Sequence, residues 1–257
     1  MAYSRYVAIG DSTTEGLEDP YPDGSGYRGW ADRLAQRLAG ENPELGYANL
    51  AVRGKLARQV REEQLETALA LEPDISTVVA GVNDTLRRHC DLDTVAGHMD
   101  AIVGTLRETG ATVVTMAFPD PAPVNALARH ARPRIFAYNH RIREIAARHG
   151  ALVVDFERDG APTDPRLWHP DRLHANPDGH ARIAEAFAET LGLPGAGRAW
   201  TQPLPPADAV PRRRALAEDI RWARVHLAPW LIRRARGISS GDGRPAKRPQ
   251  LEAIQPE

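Results

Sequence analysis

Tyr6-Val7-Ala8-Ile9-Gly10-Asp11-Ser12 opens the chain with an apolar run that stops at a glycine and delivers a serine. A continuous apolar run, without alternation, is the pattern of a strand covered on both faces. Similar runs follow at Tyr47 to Val52, Ile75 to Gly81, Thr112 to Phe118 and Ala151 to Phe156. The stretches between them carry helical spacing. Trp30, Leu34 and Leu38 share a face, Val60 to Leu71 precedes the third strand, and Val95, Met99, Ile102, Val103 and Leu106 precede the fourth. Ile135 to His149 precedes the fifth, with Gly150 as its stop; Asn176-Pro177 starts a last helix through Ile183, Phe187 and Leu191. Strands alternating with helices predict an α/β fold, a parallel sheet with helices on both sides.

Motif residues after three of these strands fall at one edge. Ser12 follows the first strand, Gly54 the second (Asn49-Leu50-Ala51-Val52-Arg53-Gly54) and Asn83 the third (Gly81-Val82-Asn83-Asp84). All lie at carboxyl ends of strands, where open parallel sheets form their ligand crevice. A serine hydroxyl is a poor nucleophile at neutral pH; it needs a base within reach and a third group to orient that base. His174 is the candidate base and Asp171, in Asp171-Arg172-Leu173-His174, the candidate orienter. A histidine titrating from about 6.5 suits proton transfer near neutrality. The bland alternatives are a serine that caps a helix, a turn glycine and an asparagine in an Asx-turn.

Together these four segments resemble the sequence blocks of the SGNH hydrolases, also called the GDSL esterase/lipase family, over roughly residues 4–192. The resemblance implies a three-layer α/β/α sandwich with a five-stranded parallel sheet, like flavodoxin, here followed by a C-terminal helical extension. It implies catalysis by Ser12, Asp171 and His174. It also implies an oxyanion hole made by the backbone N–H of Ser12, the backbone N–H of Gly54 and the side-chain amide of Asn83. Lack of a Cβ suits Gly54 to close approach, and only an amide, not a carboxylate, donates from position 83. The implied reaction is hydrolysis of a carboxylic ester, short acyl or acetyl, through an acyl-enzyme on Ser12, with no metal or organic cofactor. The name-giving Gly-Asp-Ser-Leu reads Gly-Asp-Ser-Thr here, which leaves the pocket floor open. Acyl transfer to another alcohol stays open on this fold, as does a non-catalytic module binding a carbohydrate or acyl ligand. A flavin or nucleotide protein is disfavoured by the lack of a G-x-G-x-x-G or phosphate-loop fingerprint.

The chain has 257 residues and a formal net charge of -1, enough for one domain with an appendage and no general attraction for nucleic acid. Its lone cysteine, Cys90, excludes an intramolecular disulfide. No apolar leader precedes the first strand and no run reaches the roughly 18 apolar residues of a span, so a cytoplasmic location is expected. His89-Cys90-Asp91 with Asp93 matches no standard metal spacing and is expected to be a solvated loop. His180 is expected to pack rather than catalyse. Phe118 to Pro123 and Arg166 to His169 are expected to border the acyl pocket.

The hydrolase domain is expected to span residues 1–193, followed by a Pro/Gly-rich linker at 194–206, a basic amphipathic helix at 207–236 and a disordered tail at 237–257. Between Pro211 and Pro249 there are eleven basic and three acidic residues, alongside Trp222 and Trp230. Such a segment contacts an anionic membrane surface, or packs its tryptophans on the domain with arginines in solvent; the second is the plainer reading.

Overall fold

A computed structural model describes residues 2–125, 128–159, 163–207 and 210–256. The expectations for the two terminal residues, and for positions 208 and 209 of the helical extension, fall outside the described residues.

β1 (Arg5–Gly10) lies centrally, because Tyr6, Val7, Ala8 and Ile9 are wholly buried and need cover on both faces. It pairs in parallel with β2 (Gly46–Asn49) on one side and β3 (Ile75–Val79) on the other. β4 (Thr112–Ala117) and β5 (Leu152–Asp155) continue the parallel sheet beyond β3. Helices α1 (Ser12–Glu15) and α2 (Gly29–Glu41) join β1 to β2, and α3 (Ala57–Glu63) and α4 (Leu65–Ala70) join β2 to β3. Next come α5 (Val82–Thr85) and α6 (Leu92–Glu108), then α7 (Arg132–His149) before β5, and α8 (Phe156–Asp159) and α9 (Pro177–Thr190) after it. α2 packs on α9, and α6 packs on both α3 and α7, giving the helical layers of an α/β/α sandwich. Trp30 stacks on Phe187 at 4.1 Å between ring centroids, locking the first of these pairs. The chain leaves β1 for β2, then crosses back to β3, so strand order reverses between β1 and β3. Crevices in open parallel sheets form at such a reversal.

The sheet has six strands, not the five expected, in the order β5-β4-β3-β1-β2-β6. β6 (Arg248–Ala253) runs antiparallel along β2 and belongs to the segment read from sequence as a disordered tail. Its composition hides it, since Arg248-Pro249-Gln250-Leu251-Glu252-Ala253 carries a proline and little apolar surface. An edge strand tolerates a proline because one row of its N–H groups has no partner to lose. Its anchor is ionic: Lys247 Nζ lies 2.7 Å from the buried Asp32 Oδ1 and donates to the carbonyls of Tyr27 and Arg28, each at 2.9 Å.

The expected helix from Val60 to Leu71 is split at Gln64, whose side chain turns inward and is buried. The C-terminal extension forms α10 (Arg212–Trp222), a π-helical turn at Ala223–Leu227 and α11 (Ala228–Ala235). Among the described residues no helix is long and apolar enough to cross a membrane.

Candidate active site

β1 ends at Gly10 with φ +154°, where a Cβ would stand 2.2 Å from the Val79 carbonyl oxygen. Only glycine fits so close to a neighbouring strand. Gln64 holds both backbone groups of Gly10, accepting its N–H at 2.8 Å and donating to its carbonyl at 2.9 Å. Asp11 then caps α1 by accepting the Thr13 N–H at 3.1 Å, and Ser12 becomes the first residue of that helix.

Ser12 Oγ lies 3.0 Å from His174 Nε2, across 162 residues of chain. His174 Nδ1 lies 2.7 Å from Asp171 Oδ2. The carboxylate accepts the Nδ1 proton, which leaves Nε2 as the acceptor for the serine hydroxyl. Asp171 also shapes the turn, its Oδ1 accepting the N–H groups of Leu173 at 2.9 Å and His174 at 3.0 Å. Burial alone would raise the Asp171 pKa; the hydrogen bond and charge of His174 and those two N–H groups overcome it and bring it down to about 2. Asp171 is therefore ionised throughout the neutral range.

Of the two neighbouring histidines, His169 touches Asp171 and His180 is engaged elsewhere. His169 Nε2 is 3.3 Å from Glu18 Oε2, and its Nδ1 accepts the Asp171 N–H at 3.3 Å and lies 3.5 Å from Asp171 Oδ2. His180 is buried; its Nδ1 accepts the Trp30 N–H at 3.1 Å and its Nε2 donates to the Leu17 carbonyl at 2.9 Å. Burial brings its pKa down to about 4, so it is neutral and both nitrogens are engaged by backbone. Asp91, in the segment with a superficial metal-ligand look, caps α6 by accepting the N–H of Asp93 at 3.0 Å.

Gly54 sits in a left-handed turn, φ +74°, beyond β2. Glu15 fixes that turn, accepting the Arg53 N–H at 2.7 Å and pairing with the Arg53 guanidinium. The sequence reading passed over Glu15; the signal was an acid one helical turn after Ser12 with an arginine directly before Gly54. Among the described residues neither the Ser12 N–H nor the Gly54 N–H has an acceptor.

Asn83 lies in α5, whose N-cap Gly81 packs under Tyr138: a Cβ there would be 2.2 Å from the phenol oxygen. Asn83 Nδ2 donates to Asp11 Oδ2 at 3.0 Å and to the Lys55 carbonyl at 3.1 Å. Its two N–H bonds are thus both engaged in the resting state. Asp11 is fully buried, and burial pushes its pKa up to about 7 against the opposing N–H of Thr13.

The loop after β4, expected to border the acyl pocket, is not among the residues lining the cleft beside Gly54 and Asn83. Asn139 pins Phe118, at the start of that loop, through both of its backbone groups, each at 2.8 Å. The cleft beside Gly54 and Asn83 is walled instead by the C-terminal segment, with Trp230, Arg233 and Arg234 of α11 facing it.

The family model of GDSL-like lipase/acylhydrolases matches residues 8–182. An acetylxylan esterase of Geobacillus stearothermophilus is 27% identical over 210 residues, 74% of this chain and 94% of that protein. Among solved structures, an alpha/beta hydrolase enzyme from the Lake Arreo metagenome superposes with a TM-score of 0.61 at 24% identity, covering 74% of this chain and 95% of its own. The crystal structure of an acetylxylan esterase from Geobacillus stearothermophilus gives 0.60 at 22% identity, covering 77% and 96%. With the family match spanning both Ser12 and His174, the chain belongs to the GDSL-like lipase/acylhydrolase family, SGNH-type hydrolases that act on carboxylic esters.

Proposed function

We propose that the protein is a serine esterase that hydrolyses a short-chain carboxylic ester through an acyl-enzyme on Ser12. The continuous hydrogen-bonded line from Ser12 Oγ through His174 to Asp171 carries this reading. Ser12 Oγ attacks the acyl carbonyl while His174 Nε2 takes the hydroxyl proton, and ionised Asp171 stabilises the imidazolium. The carbonyl oxygen becomes an oxyanion facing the unengaged N–H groups of Ser12 and Gly54. Asn83 joins them when the new charge draws one of its N–H bonds from Asp11 or Lys55. Collapse breaks the bond to the alcohol oxygen, which leaves with the proton from His174. Water then attacks the acyl carbonyl, His174 takes one of its protons, and the Ser12 hydroxyl is restored as the carboxylic acid departs.

The acetylxylan esterase relative makes acetyl esters the first substrates to try. The half-buried lone thiol Cys90 agrees with a reducing, cytoplasmic setting as part of the same reading. The test pairs a fluorophosphonate probe with p-nitrophenyl acetate turnover. Covalent labelling and turnover in the parent, both lost in Ser12→Ala, support the mechanism; labelling that persists in Ser12→Ala overturns it. Deacylation onto an added alcohol instead of water, read from product ratios, would make the protein an acyltransferase.

A further inference from the structure

We propose that the C-terminal arm selects esters bearing a negative charge, recognised by Arg87, Arg233 and Arg234 in the cleft beside Gly54 and Asn83. The proposal rests on the esterase reading and names its substrate class.

The arm is built into the site. A cleft of about 180 Å³ has Gly54 and Asn83 on its domain side and Trp230, Arg233 and Arg234 on its arm side. The loop after α11 presses on the same turn: a Cβ on Gly54 would lie 2.4 Å from Ser239 Oγ, and one on Gly241 would lie 2.0 Å from the Arg53 carbonyl oxygen. An ester whose carbonyl reaches the N–H of Gly54 therefore lies against the arm. The family match ends at residue 182, before α10 and α11 begin, while Arg87 lies within it.

The charge on that wall is unbalanced. Two arginines at the arm have carboxylates, Arg172 meeting Asp219 at 2.6 Å and Arg214 meeting Glu218 at 3.0 Å, whereas Arg233 and Arg234 are the unpaired ones that line the cleft with Gly54 and Asn83. Among the described residues Arg87, Arg233 and Arg234 have no carboxylate partner. Arg234 is held in place, its Nη2 donating to the Leu86 carbonyl at 3.0 Å and its guanidinium 4.8 Å from the Trp230 ring centroid. Arg134 adds a fourth cation behind them, donating to the Arg87 carbonyl. Asp84, which feels the charge of Arg87, is buried and engages its Oδ2 with the Ala57 N–H at 3.0 Å, so it makes no ion pair with the arginines of the cleft. Burial, then the like charges of Arg87 and Arg134, draw the Arg234 pKa below its usual range.

Guanidinium groups crowded without a counterion repel one another, and an anion bound between them relieves that repulsion. Their planar donor forks match a carboxylate or a phosphate two bonds at a time. A cleft lined by one sign of charge also concentrates ligands of the other sign. The cleft's size suits a short charged group at one end of the ester.

The test uses two matched pairs: p-nitrophenyl hexanoate against p-nitrophenyl hydrogen adipate for charge on the acyl side, and glycerol monoacetate against its phosphate for charge on the alcohol side. In at least one pair the parent should prefer the anion by about tenfold or more in kcat/KM, and the preference should shrink in about 0.5 M NaCl. R233A/R234A should bring the ratio toward one, and R233K/R234K should keep part of it. Neutral substrates preferred in both pairs, or a preference that survives R233A/R234A, overturns the proposal while leaving the esterase reading intact. Failure of the esterase reading shows separately, as a parent that the fluorophosphonate does not label at Ser12.

Discussion

Trp222 Nε1 donates to the carbonyl oxygen of Asp171 at 2.8 Å, so a residue of the arm holds the turn that carries both Asp171 and His174. That turn needs holding. Arg172 sits at φ +59°, an uncommon conformation for a residue with a side chain. Its guanidinium lies 4.9 Å from the Trp222 ring centroid and meets Asp219. Trp222→Phe keeps an aromatic ring but removes the bond to Asp171. A hydrogen bond contributes roughly 0.5–1.5 kcal/mol, so kcat/KM for p-nitrophenyl acetate should fall by about three- to tenfold. Folding stability should fall by about the same 0.5–1.5 kcal/mol. Equal turnover by parent and variant would show that the clasp is irrelevant to the chemistry.

Asn83 offers a sharper test of the oxyanion site, because its amide already serves Asp11 and Lys55. Asn83→Ala removes the donor and leaves the buried Asp11 carboxyl with one fewer partner. Loss of an oxyanion donor lowers turnover by about 10²–10³. The loss should appear in kcat with KM much less affected, since the oxyanion exists only in the transition state. Turnover within a few-fold of the parent would assign Asn83 to holding Asp11 alone.

What was legible in the sequence was what local chemistry dictates. An unbroken apolar run ending in Gly10-Asp11-Ser12 needs no distant partner to be read, and Asp171 precedes His174 by the spacing of a single turn. What stayed hidden depends on contacts between distant residues. β6 is polar and contains Pro249, and it forms because Lys247 meets Asp32 across most of the chain. Glu15 looks like an ordinary helical acid until Arg53 folds against it. The arm read as an amphipathic helix, but its place over Gly54 is set by the small residues Ser239 and Gly241, which carry no sequence signal of their own.

Lys247 is the residue through which the edge strand is fastened. Asp32 is fully buried and accepts the hydroxyls of Tyr21 at 2.8 Å and Tyr47 at 2.7 Å in addition to the lysine. Lys247→Met leaves that carboxylate without its close cation, with Arg248 Nε next at 3.9 Å. Breaking a buried pair from one side typically costs about 3–5 kcal/mol, and the remaining donors place this case near the lower end. Urea unfolding should show that loss, and limited proteolysis should cut residues 237–256 faster. Adding Asp32→Asn should recover part of it, because the stranded charge is removed. A Lys247→Met variant as stable as the parent would mean that β6 is held by its backbone ladder alone.

His180 and Asp11 give stability a pH dependence whose two halves oppose each other. The His180 pKa falls from 6.5 to about 4 through burial. Protonating Nδ1 would set its new proton against the Trp30 N–H that it now accepts. A group depressed in the folded state stabilises fully above its unfolded pKa, so this contribution is lost as pH falls from 6.5 through about 4. The shift corresponds to roughly 3 kcal/mol. Asp11 has the other sign: its pKa rises from 3.8 to about 7, so its contribution is fully present below 3.8 and lost as pH climbs through about 7. Acidification across the shared window therefore strengthens one term while weakening the other, and the parent's stability should vary little there. His180→Gln retains a side-chain acceptor for Trp30 but removes the titration. The variant should be less stable at neutral pH, because packing around Trp30 and Phe187 is disturbed, yet gain on the parent by about 3 kcal/mol between pH 6.5 and 4. Urea midpoints at several pH values read this directly. Parallel profiles for parent and variant would show that His180 titrates alike in the folded and unfolded chains, and the neutral buried imidazole inferred from its two backbone bonds would have to be abandoned.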